Sequence, residues 1–148
     1  MTSIPRDAVW NDRAALVPSI EGLHHLRLPV SDVMRSRDWY IGVLAFEPRL
    51  SVEEADHVVG VVVSHASGVT IGLHYAPQLA RALHGFCPVA LSVGDVDELT
   101  RWCTHLDTLG VGHSQTSEGH LGWYLDVPDP DNLIIRLHTI GQPTADEA

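Results

Sequence analysis

Between residues 22 and 30 the chain alternates, with Leu26, Leu28 and Val30 apolar and His25 and Arg27 set between them. A period of two predicts a half-buried strand, its aliphatic set toward a helix and His25 and Arg27 on the opposite face. Ser31-Asp32 offers a helix N-cap, after which Val33, Ser36, Tyr40, Val43 and Leu44 recur at helical spacing. Ala45-Phe46-Glu47-Pro48 ends that helix and starts a second strand. β-branched runs at 57–64 and 69–75, joined by a Ser67-Gly68 turn, predict two more.

The same order returns about 63 positions later. Residues 88–93 set Val89, Leu91 and Val93 inward and Pro88, Ala90 and Ser92 outward. Asp95 with Glu98 forms a capping box, and the following helix runs to about Leu109, with Gly110 suited to a left-handed cap. Residues 111–115, 122–127 and 133–139 predict three strands, the last two separated by the turn Pro128-Asp129-Pro130-Asp131-Asn132, with Asn where φ > 0 is needed. Two copies of one strand–helix–three-strand unit define the fold class: α+β, two βαβββ modules forming a cupped mixed sheet. The domain spans 21–139, with module one at 21–75, a linker at 76–85 and module two at 86–139. Residues 1–20 are expected to form a loose helical arm and 140–148 a flexible tail.

The 148 residues suit one domain with a real core. No apolar run approaches the roughly 20 residues of a membrane span. Arg6, Asp7, Asp12 and Arg13 occupy the place of a signal peptide's apolar stretch, so a cytoplasmic protein is expected. Cys87 and Cys103 form no CxxC pair and read as reduced core residues. Nine basic residues against nineteen acidic ones give a net charge of −10, which excludes a basic stripe for nucleic acid. There is no phosphate-binding loop, dinucleotide glycine turn or GxSxG elbow.

His25-Leu26-Arg27-Leu28-Pro29-Val30-Ser31-Asp32, Asp38-Trp39-Tyr40 followed by Val43-Leu44-Ala45-Phe46-Glu47, and Asp129-Pro130-Asp131-Asn132 together resemble the vicinal oxygen chelate superfamily. That superfamily includes glyoxalase I, bleomycin-resistance proteins, fosfomycin-resistance enzymes and extradiol dioxygenases. The resemblance covers about residues 21–139. It implies a cupped sheet built from paired modules, often across a dimer, and in many members a divalent metal held by the first and last strands of each module. The corresponding positions are His25, Gly72, Pro88 and Arg136. Only the first suits a metal, because glycine and proline carry no donor and a guanidinium is a cation.

The expectation is therefore a small organic molecule bound in the cup without a metal or other cofactor, as in bleomycin-resistance proteins. The candidate ligand-binding residues are His25, Arg27, His74, Trp123, Tyr124, Arg136 and His138. Strand alternation lets only one of Trp123 and Tyr124 face the cup. Arg136 either clamps an anionic group of the ligand or pairs with an acidic neighbour. The alternative is a glyoxalase-like lyase or isomerase, or a dioxygenase, with a divalent metal on a displaced set of His25, His74 and His138. His24 should point away from His25, and His57, His65, His84, His105, His113 and His120 are expected at the surface. The open cupped sheet predicts a homodimer, with no membrane partner.

Overall fold

A computed structural model describes residues 16–141. Its elements run β1 (Leu26–Val30), α1 (Val33–Leu44), β2 (Glu47–Glu54), β3 (His57–Ser64), β4 (Thr70–Tyr75), α2 (Pro77–Ala82), β5 (Val89–Val93), α3 (Val96–Leu109), β6 (Ser117–Gly119), β7 (Gly122–Pro128) and β8 (Ile134–Thr139). Two four-stranded mixed sheets result, in the orders β1-β4-β3-β2 and β5-β8-β7-β6. Each pairs its first and last strands in parallel and the rest antiparallel, as two copies of one βαβββ unit require. The described part of the expected arm, 16–20, contains no helix and is exposed. The remainder of the arm, and the tail beyond 141, lie outside the described residues.

Local chemistry starts and stops the helices where the pattern predicted. The Asp32 carboxylate accepts the Arg35 amide at 3.0 Å and the Asp95 carboxylate accepts the Glu98 amide at 2.9 Å, each satisfying a first-turn N–H. Gly110 closes α3 at φ 70°, and α1 ends on Ala45 at φ 61°, a conformation that costs an L-residue. Asn132 takes φ 58° in the turn before β8.

Two elements differ from the sequence reading. The linker holds α2, which Pro77 opens with its preset φ. Residues 111–115 form no strand, and β6 begins only at Ser117. Here side chains take over the backbone's partners: His113 Nδ1 meets the Ser114 carbonyl at 2.7 Å, and Ser114 Oγ accepts the Asp126 amide at 2.9 Å.

One core serves both modules. Leu28, Val30, Val61, Val63, Ile71 and Leu73 from the first sheet join Val93, Leu125, Val127, Ile135 and Leu137 from the second in a single buried cluster with both long helices. A buried polar link crosses the junction. The Tyr40 hydroxyl donates to Asp129 at 2.9 Å, and Asp131 accepts the Ser31 amide at 3.0 Å and its hydroxyl. Burial, then the Asp129 charge, push the Tyr40 phenol well above its ordinary value, so it stays a donor. Because both sheets turn their inner faces to this core, their other faces point away from it.

Candidate functional site

The outward faces are where the alternate residues of β1, β4, β5 and β8 arrive. On the first sheet, Arg27 lies opposite Gly72, and Gly72 opposite Val62; one step on, His74 lies opposite Gly60. A Cβ at Gly72 would stand 3.7 Å from His25 Cδ2 and 4.0 Å from Arg27 Cγ, so the bare position lets those two side chains lie across the sheet. His25, Arg27 and His74 are exposed, as are Leu50 and Val52, which share this face through their pairing with Val62 and Gly60.

The second sheet carries more bulk and charge at the equivalent positions. Asp126 faces Arg136 and Tyr124 faces His138 across β7 and β8, with Ala90 and Ser92 completing the rows on β5. Arg136 Nε donates to Asp126 Oδ1 at 2.8 Å and Nη2 to Oδ2 at 3.0 Å. The guanidinium carbon lies 3.8 Å from the Tyr124 ring centroid, within the range of a cation–π contact. The His138 ring lies nearly parallel to Tyr124, 14° apart in plane and 6.2 Å between centroids, and its Nδ1 meets the Thr139 carbonyl at 2.8 Å. The hydrogen bonds to Asp126 raise the Arg136 pKa above its ordinary value, so this cation never neutralises. Tyr124, Asp126, Arg136 and His138 are all half-buried.

Several sequence expectations resolve against this geometry. Of the two aromatic candidates, Tyr124 takes the outward face. Trp123 sits on the Leu125 side of the strand, at its exposed end. Arg136 takes the acidic-neighbour alternative. His24 and His25 meet, Nδ1 to Nδ1, at 2.9 Å, because both precede β1 and strand alternation does not govern them. His65 is half-buried against Phe46, with ring centroids 5.3 Å apart, and accepts the Ser67 amide on Nδ1 at 3.0 Å. His105 reaches the Val43 carbonyl at 2.9 Å and ties α3 to α1. His113 pairs with Asp107 at 2.7 Å.

Among the described residues the candidates are divided between the two sheets. The cavity at the module junction, about 330 Å³, is lined by Leu44, Phe46, His65, Val69, Leu91 and Trp102 among others, and by none of the candidates. Among the described residues no three His, Cys, Asp or Glu side chains cluster in a way that could hold a metal ion, so His25, His74 and His138 are not brought together. Nor do the family's four ligand positions fit a divalent cation. His25 offers one imidazole, Gly72 and Pro88 no donor, and Arg136 a guanidinium already committed to Asp126. Sequence reading missed Asp126, whose place beside Arg136 depends on the β7–β8 register. It also missed the junction cavity, whose walls come from both modules.

The repeated module and these sheet faces define a βαβββ-duplicated protein. Residues 22–137 match the model of the Glyoxalase/Bleomycin resistance protein/Dioxygenase superfamily, and the chain belongs to that superfamily. Among solved structures it is similar to TnmS3, an antibiotic binding protein from Streptomyces sp. CB03234 (21% identity, 83% of this chain and 98% of that one, TM-score 0.67). It is also similar to a mutant of the fosfomycin resistance protein FosX from Listeria monocytogenes complexed with Mn(II) and 1S,2S-dihydroxypropylphosphonic acid (18%, 87% and 97%, 0.65). A third similar structure is a lactoylglutathione lyase from Agrobacterium tumefaciens (14%, 82% and 96%, 0.67). At these identities the likeness is one of fold. No curated protein is matched. Among the described residues no helix is long and apolar enough to cross a membrane.

Proposed function

We propose that this protein binds a small organic molecule between its outward sheet faces, without a metal, in a cup that two copies of the chain complete. The observation that carries the reading is the composition of the two faces. One is a mixed surface hollowed at Gly60 and Gly72, where Leu50 and Val52 lie beside His25, Arg27 and His74; the other is a polar–aromatic surface of Tyr124, Arg136, Asp126 and His138 at the equivalent positions. Brought together, they make a cup with aliphatic and aromatic surface and a few hydrogen-bonding side chains, the usual make-up of a small-molecule site. Each chain turns both faces away from its own core, and this supports a second copy as the source of the opposing wall. The antibiotic-binding function of TnmS3, a protein of similar fold, is consistent with this use.

The test is fluorescence titration with the uncharged aromatic probe N-phenyl-1-naphthylamine, with and without EDTA, beside elemental analysis of the purified protein. Binding that survives EDTA, in protein without a stoichiometric divalent ion, supports the reading. A stoichiometric ion whose removal abolishes binding would overturn it in favour of a metal-dependent lyase or dioxygenase.

A further inference from the structure

We infer that Asp126 sets the charge class of ligand that the polar wall accepts. By holding Arg136 in a two-bond pair against Tyr124, it offsets that cation's charge toward anionic groups and leaves a net-neutral, planar surface for an uncharged ring. The inference rests on the sheet faces being the ligand site.

Three observations lead here. First, the pair is bidentate, with Nε and Nη2 on separate carboxylate oxygens, the geometry a guanidinium would otherwise offer a ligand's carboxylate or phosphonate. The Nε–Nη2 side of the fork is occupied from within, and its charge is offset there. Second, one planar face of the guanidinium is covered by the Tyr124 ring at 3.8 Å, which removes one side of approach to the cation. Third, the fold does not require the pair. The positions equivalent to Asp126 and Arg136 in module one are Val62 and Gly72, which keep the same strand register with no charge at all. A part-exposed ion pair adds little stability, so its role on this face lies in what the face recognises.

The experiment titrates wild type and Asp126→Asn with anionic 1-anilinonaphthalene-8-sulfonate and with uncharged N-phenyl-1-naphthylamine. Freeing Arg136 is expected to raise the ratio of anionic to neutral affinity by about tenfold. An unchanged ratio in a folded variant overturns the inference. Should Asp126→Asn fail to fold by circular dichroism, Arg136→Met reverses the design. It leaves Asp126 unpaired and is expected to raise affinity for cationic thioflavin T about tenfold over the neutral probe, and no gain overturns the inference. Tyr124→Ala separates the two levels. Loss of neutral-probe binding supports the site itself, whereas binding untouched by Tyr124→Ala removes the site and the inference with it.

Discussion

Ser36 is fully buried on the inner face of α1, and its hydroxyl has no partner among the described residues. A buried hydroxyl left unmade costs roughly 1–3 kcal/mol, so Ser36→Ala should leave thermal stability unchanged or raise it, as calorimetry would show; a clear drop in Tm would mean that the hydroxyl is satisfied. Tyr40→Phe should do the opposite. It removes the donor that holds Asp129 at the module junction and should cost roughly 1–3 kcal/mol in denaturant unfolding. Burial holds the Asp129 carboxyl above its usual range. The sign follows: the folded state binds this proton more readily than the unfolded chain, so Asp129's contribution is greatest below the ordinary value of 3.8 and falls as pH rises through the raised one. At this scale the sequence marked Tyr40 as core from its spacing alone. It could not mark Asp129 as its partner, since the two lie 89 residues apart and meet only through packing.

Among the elements, α1 and α3 were legible because period and caps agree. The capping carboxylates of Asp32 and Asp95 stand where the sequence put them. Their C-termini differ, one closing on Gly110 and the other on Ala45 at φ 61°. Relieving that left-handed alanine with Ala45→Gly should stabilise the protein by about 1 kcal/mol, measured as a shift in denaturant midpoint. The segment after α3 was misread as a strand because alternation is a weak guide where Ser and His side chains bond the backbone. Its anchor is His113, whose hydrogen bond to Asp107 raises its pKa above the ordinary 6.5. That bond contributes stability fully below pH 6.5 and loses it as pH rises through the raised pKa. An NMR titration should place His113 above 6.5 and return it toward that value in Asp107→Asn; identical titrations in both proteins would contradict the assignment. The candidate site was half legible at this level. Alternation put Arg136 and His138 on one face, while the partner strand that neutralises Arg136 needed a register no periodicity supplies.

For the whole molecule, duplication made the architecture readable, because the same alternation, cap and turn recur in order and each local signal supports the same unit. What duplication did not convey is what the two outward sheet faces meet. Both modules pack their inner faces into one core, which leaves the hollowed face at Gly72 and the bulky face at Tyr124 pointing away from it. Sizing by light scattering should therefore give a mass of twice the 16.2 kDa chain. The most direct test of the account mixes two variants that each ruin one wall, Gly72→Phe to fill the hollow and Tyr124→Ala to remove the ring. Neither alone should bind N-phenyl-1-naphthylamine. After unfolding and co-refolding in equal amounts, cups shared between chains predict that about one quarter of wild-type binding capacity returns, since half of the dimers are mixed and each mixed dimer has one intact cup. No recovery from a mixture that forms dimers would contradict a site shared by two copies.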